Sequence, residues 1–307
     1  ASELRWMRLN LAEPSGPRPL HQVRVLSTVA EPLSDGRNLT LVPGSREEPM
    51  HFLRQAIAKG SCLVVGKTGV GKTTLIGSIA REIFLARRTQ RKQRREKGVD
   101  AAPLQPLFWS SSAGRLIAGM RYLGQWQQRL ESVVAELANI DGVLVIENLR
   151  DLLTVGGREP RDSLAAFLLP YVRSGSLRMI AEANPDELDA CRRLLPALVD
   201  ALPIVQVEPM RVDHEQELLK ITLTQQLQSA DIKFEPAIPA CISRLCRQFQ
   251  RHSEAPGPAM RFVQELTGRK RRPETPKFWS EAWILERFSQ RTGLPLNLLD
   301  DKRTLSK

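Results

Sequence analysis

The chain has 307 residues, of which 42% are hydrophobic and 26% charged, and its formal net charge is +11. That length supports two domains with cores of their own, the composition is that of a globular protein, and no apolar run reaches the span of a bilayer. The positive excess favours anionic partners and says nothing about fold.

The first stretch, "ASELRWMRLNLAEP", carries charges where an export signal needs an apolar core. Cys62, Cys191, Cys241 and Cys246 are scattered without metal-ligand spacing and read as reduced, small hydrophobic side chains. Together these features lead us to expect a cytoplasmic protein. Residues 1–35 contain Pro14, Pro17, Pro19 and Pro32 and no sustained periodicity, which predicts a linker or arm.

From Pro49, "MHFLRQAIA" has helical spacing, and "SCLVVG" is a short apolar run ending in glycine. Such a run before a glycine-rich loop and a helix predicts a buried parallel strand. The loop is "GKTGVGKT", with Gly66, Gly71, Lys72 and Thr73 at G-x-x-x-x-G-K-[ST] spacing. Backbone N–H groups of Lys67, Thr68, Gly69, Val70 and Thr74, with those of the glycines, are expected to surround phosphates. Lys72 places a charge on the β/γ-phosphates of ATP, and the Thr73 hydroxyl binds Mg²⁺.

Beyond it, "ARRTQRKQRREK" (86–97) holds seven basic residues and one acidic one, and "GRKRR" (268–272) holds four more basic ones. No aromatic residues are interleaved for base stacking, so a solvated helix extension and a loop are the expectation, rather than a contact to nucleic acid or to an acidic protein. "WQQRLESVVAELANI" sets Trp126, Leu130, Val133, Val134 and Leu137 on one helical face. "GVLVIE", "LRMIAEAN" and "PIVQVEP" read as strands and "SLAAFLLPYV" as a helix, giving the alternation of an open α/β sheet. After Pro209 the pattern turns helical: "PACISRLCRQFQ", "GPAMRFVQEL" and "SEAWILERFSQRTG", the last with Ser280 placed to cap it.

Several stretches, in order over roughly residues 33–307, resemble the first ATPase module of the Clp-type AAA+ unfoldases and chaperones: "GRNLT" (36–40), "GVGKT", "LIAGMRYLGQWQQRL", "LLPYVRSGSLRMI", "VQVEP" and "RTGLPLNLL". The resemblance implies an α/β fold: a P-loop AAA+ parallel-sheet domain over 36–210, followed by a small helical lid domain over 211–307. It also implies a ring of like or related subunits, six by analogy, with ATP between neighbours.

Residue by residue, the resemblance is incomplete. The family's second phosphate-site strand ends Asp-Glu; here Glu147 takes the Mg²⁺-supporting position and Asn148 that of the water-activating Glu. An amide orients water but does not take its proton. Asp200 and Ala201 stand where the family carries paired arginines that reach the neighbour's γ-phosphate, with Arg192 and Arg193 a few residues earlier. Asn184 fits the polar sensor of the attacking water. Arg121 and Tyr122, in "MRYLG", fit the pore loop that grips a threaded polypeptide. The coiled-coil insertion of the disaggregating relatives and a second phosphate loop are both missing, and the sequence stops where that second module would begin.

Two function classes follow. One is an ATP-binding module that assembles with its neighbours and hydrolyses slowly or not at all. The other is an active ATPase that threads or remodels proteins through a pore. The substitutions at 147, 148, 200 and 201 favour the first; Tyr122 keeps the second open, and a nucleic-acid-associated ATPase is a remoter third.

Overall fold

Two runs without a polar side chain set the centre of the sheet. In the computed structural model, β2 (Cys62–Val65) and β4 (Val143–Ile146) are buried at every position, as strands covered on both faces must be. The structure describes residues 23–33, 45–96, 106–120, 124–157, 159–228, 230–268 and 276–300. The chain divides into two units: residues 1–39, 47–66 and 72–207 in the first, and 40–46, 67–71 and 208–307 in the second.

The first unit holds a six-stranded sheet in the order β1-β3-β4-β5-β2-β6. Its strands are β1 (Glu31–Pro32), β2, β3 (Phe108–Ser111), β4, β5 (Arg178–Ala183) and β6 (Ile204–Gln206). All neighbours are parallel except β1 and β3. The expected α/β fold with a mostly parallel sheet is therefore present. The strand feeding the phosphate loop, β2, lies between β5 and β6, with Val64 opposite both Glu182 and Val205.

The helices behave as their periodicities predict. α2 (Glu47–Lys59) buries Met50, Leu53, Ala56 and Ile57. Between β3 and β4 run α4 (Ala113–Ile117) and α5 (Gln125–Asn139), the latter burying all five apolar residues of its predicted face. α6 (Leu149–Thr154), α7 (Leu164–Arg173), α8 (Pro185–Leu194) and α9 (Pro196–Asp200) complete the unit.

One expectation is corrected. Residues 26–33, assigned to the arm, instead form α1 (Leu26–Val29) and the edge strand β1. Leu26 and Val29 are buried, and Glu136 on α5 accepts from the backbone N–H groups of Val25 at 3.0 Å and Leu26 at 2.8 Å. Elements this short show no period, and Pro32 sits in an edge strand, where a missing N–H is tolerated. The rest of the 1–35 segment that lies at 1–22 and 34–35 is outside the described residues. The basic run extends the helix that follows the phosphate loop, as expected: residues 86–96 are the second half of α3 (Lys72–Glu96). The buried stripe Leu75, Ile76, Ile79, Ala80 and Ile83 anchors its first half. Arg, Gln and Lys are strong helix formers and carry it onward, with Arg88, Lys92 and Arg94 exposed. Lys97 and the basic residues at 269–272 lie outside the described residues.

The second unit is mostly helical: α10 (Val212–Gln228), α11 (Ile238–Phe249), α12 (Gly257–Thr267), α13 (Glu281–Thr292) and α14 (Leu296–Leu299), with the small pair β7 (Lys233–Phe234) and β8 (Phe278–Trp279). Ser280 caps α13 as its position predicts, accepting from Trp283 N–H. Phe262, Trp279 and Phe288 are the large side chains of its core. One carboxylate is buried there. Glu215 on α10 is 1% exposed and accepts from Arg247 Nε at 2.6 Å and Ser243 Oγ at 2.7 Å. Removing it leaves the buried Ser243 hydroxyl without its acceptor and the Arg247 guanidinium with the Met210 carbonyl but no counter-charge, so Glu215→Ala should cost about 2–4 kcal/mol. The check is a drop in the chemical-denaturation midpoint with an unchanged slope.

Candidate functional site

The site is built where α3 starts. Gly66, after the last residue of β2, donates its N–H to Ala183 O at 3.1 Å, which ties the head of the loop to the end of β5. The first turn of α3 contains no acidic residue, unlike α2 with Glu47 and Glu48 and α8 with Asp186 and Glu187. The positive end of its dipole is thus left for an anion. Lys72 Nζ donates to Gly66 O at 2.7 Å. Burial lowers the Lys72 pKa, with Glu182 and Glu187 pulling the other way.

The tip of the loop, residues 67–71, is held within the second unit. Glu254 N–H donates to Thr68 O at 2.7 Å and Gly257 N–H to Gly69 O at 2.9 Å. Because the peptide is planar and trans, taking up the Thr68 carbonyl on one side turns the Gly69 N–H to the other. Gly69 has φ +92°, and a Cβ there would collide with Ser253 Oγ and with Glu254 O, so both the turn and the close approach demand glycine. Lys67 pairs with Glu254 at 2.9 Å, and that partner raises its pKa. Arg46 donates to Val70 O at 2.7 Å and Glu208 O at 2.6 Å, fixing the far side of the tip.

Thr73, the expected Mg²⁺ ligand, donates its hydroxyl to Glu182 Oε2 on β5 at 2.9 Å. Glu147, the carboxylate expected to support the ion, is exposed and accepts from Ser110 Oγ at 3.3 Å. Asn148 is the N-cap of α6, its side chain accepting from Arg150 N–H at 2.9 Å. Asn184 is the N-cap of α8 in a capping box with Glu187: it accepts from Glu187 N–H at 2.8 Å and Glu187 accepts from its N–H at 2.7 Å. Both asparagines use their side-chain oxygens on helix ends, where this residue type ranks among the best caps. Asp200 is exposed at the end of α9. Arg192 and Arg193 are exposed near the end of α8, Arg192 pairing with Asp189. Arg121 and Tyr122 lie outside the described residues.

Glu182 is the residue that sequence reasoning missed. It is 4% exposed, and its second oxygen, Oε1, is buried without a partner among the described residues. Burial pushes its pKa up to about 7, against the lowering effects of the Thr73 hydrogen bond and of Lys72. Phosphate and Mg²⁺ fit this set of groups: a lysine and a bare helix N-terminus for the anion, and a hydroxyl with an under-satisfied carboxylate for the cation.

Comparison with known proteins bears on the family and the fold. Residues 62–199 match the family described as "ATPase family associated with various cellular activities (AAA)". The "Chaperone protein ClpB 1" of Synechocystis is 26% identical over 239 residues, 76% of this chain and 25% of that protein. The ClpB of Aquifex aeolicus is 24% identical over 215 residues, 69% of this chain and 20% of that protein. A closed-state cryo-EM reconstruction of Hsp104 with ATPyS and FITC casein superposes with a TM-score of 0.68 at 19% identity, covering 92% of this chain and 48% of that one. The extended S. cerevisiae Hsp104:casein complex gives 0.67 at 18% identity, covering 91% and 47%. The two solved structures show likeness of fold. The chain spans about a quarter or less of these curated relatives and about half of the solved chains.

The buried carboxyl has a consequence for stability. Its folded pKa of about 7 lies above the ordinary value of 4.5, so the native state favours the neutral acid. The resulting stabilisation is complete below the unfolded pKa and is lost as pH rises through the folded one. Without nucleotide, the wild-type melting temperature should therefore fall relative to that of Glu182→Gln between about pH 5 and about pH 8. Parallel melting curves across that range would contradict this.

Proposed function

This chain belongs to the Clp-type AAA+ ATPase family, and from that premise we propose that it binds ATP with Mg²⁺ at Gly66–Thr73 to assemble with like or related subunits in a ring, hydrolysing it slowly or not at all. The observation that carries this reading is Asn148. It stands where the family's water-activating Glu belongs, carries no group that takes a proton, and has its oxygen on the α6 N-terminus. Loss of a general base typically costs about 10²–10⁴-fold in rate. Asp200 and Ala201 in place of the arginine pair remove a contribution worth roughly 10³–10⁵-fold. The loop, by contrast, keeps every element that binding needs, and a ligand held only by the assembled state stabilises that state without being consumed.

The partner we propose is a polypeptide. The curated relatives are named chaperones, and both solved Hsp104 chains were captured with casein. A protein partner also suits the expected pore-loop residues Arg121 and Tyr122. We place the protein in the cytoplasm, where such machines work; among the described residues no helix is long and apolar enough to cross a membrane.

Two measurements test the proposal. Sedimentation velocity should show a larger species on adding ATP and Mg²⁺, with steady-state turnover far below the usual enzyme median of about 10 s⁻¹; turnover near that value would overturn the reading. Lys72→Ala should lose ATP affinity by calorimetry, and with it the ATP-dependent shift, while melting normally. Unchanged affinity in that variant would remove the nucleotide site itself.

A further inference from the structure

Beyond Arg178 at its start, β5 is an apolar interior strand with one exception. Met179, Ile180, Ala181 and Ala183 are all buried, and Glu182 is buried among them, with a partner among the described residues for only one of its oxygens. A carboxylate in that setting is costly unless paired and hydrogen-bonded. Nothing in the packing of the sheet requires it, since Val64 and Val205 opposite fill the corresponding places on β2 and β6 with hydrocarbon. Its one bond is with the hydroxyl expected to face Mg²⁺.

We propose that Glu182 is the carboxylate that supports Mg²⁺ at this site, receiving the Thr73 hydroxyl proton and holding the ion's water shell in place of the side chain at 147. The proposal rests on the reading that Gly66–Thr73 binds Mg²⁺-nucleotide. A hydroxyl that gives a lone pair to a metal must send its proton elsewhere, and the acceptor fixes which way that lone pair points. At 2.9 Å Glu182 Oε2 is that acceptor, while Glu147 is exposed and engaged with Ser110. The unpartnered Oε1 remains as an acceptor for a metal-bound water, which is how Mg²⁺ is commonly held, through few carboxylates and several waters. The register supports the substitution: one step beyond the Ile146–Ala181 pair, position 147 on the β4 side and 182 on β5 are adjacent. The carboxylate has in effect moved one strand closer to β2, whose Val64 is directly opposite Glu182. Glu182 is a positioning residue on this account, acting through Thr73 and water.

The test compares ADP affinity in EDTA with that in excess Mg²⁺, by calorimetry on the full chain; ADP takes hydrolysis out of the measurement. Gln at 182 still accepts the Thr73 proton but carries no charge. Glu182→Gln should lower the Mg²⁺ enhancement of binding about 10-fold, at the lower end of what outer-shell partners of metals contribute, while affinity in EDTA holds or rises. Glu182→Asp, which keeps the charge, should retain more of the enhancement, and Glu147→Gln nearly all of it. A wild-type enhancement in Glu182→Gln, equal losses in the Gln and Asp variants, or a loss confined to Glu147→Gln would each overturn the assignment. If the wild type binds no nucleotide in either condition, the nucleotide reading fails first, and that result is distinct from the other three.

Discussion

The hydrogen bond between Thr73 and Glu182 is the constraint around which the site is arranged. It joins the first turn of α3 to the interior of the sheet, and it forms because β2 and β5 are parallel neighbours in a register that sets Val64 against Glu182. The same register places the Ala183 carbonyl where Gly66 N–H reaches it, so the loop begins at a fixed height above the strand ends. From there the chain turns into a helix with no acid in its first turn. Lys72, at the start of that helix, is partly desolvated, which lowers its pKa, while Glu182 and Glu187 pull the other way.

Holding and hydrolysing a phosphate make different demands on these residues. Holding needs backbone amides, a cation and a helix N-terminus, all supplied by residues adjacent in sequence. Hydrolysis needs a base on β4 and charge reaching the γ-phosphate from elsewhere. Just past β4 the chain has Asn148, whose side chain caps the start of α6. Asn184 likewise closes a capping box on α8, which leaves its amide nitrogen as the group available to a water. This contrast is what the proposed use of the nucleotide as a structural ligand rests on.

Much of this was legible in the sequence. The apolar runs at 62–65 and 143–146, the five-residue face of α5 and the Ser280 cap all follow from local rules that tertiary context did not override. The phosphate loop was legible because its glycines, Lys72 and Thr73 are contiguous. Glu182 was not, because its meaning depends on strand order: only when β5 pairs with β2 does an acid in "RMIAEAN" meet Thr73. A lone carboxylate in a run otherwise apolar was the available signal. Residues 26–33 were missed for a related reason. A single helical turn and a two-residue edge strand have no period of their own, and Glu136, which fixes them, lies more than a hundred residues away.

The central claim is that ATP is kept rather than consumed. It is tested most directly by incubating the assembled protein with ATP and Mg²⁺ overnight, separating it from free nucleotide, and identifying what remains bound by chromatography of the acid-released material. The account predicts intact triphosphate on a still-assembled species; quantitative conversion to ADP on the same species would contradict it.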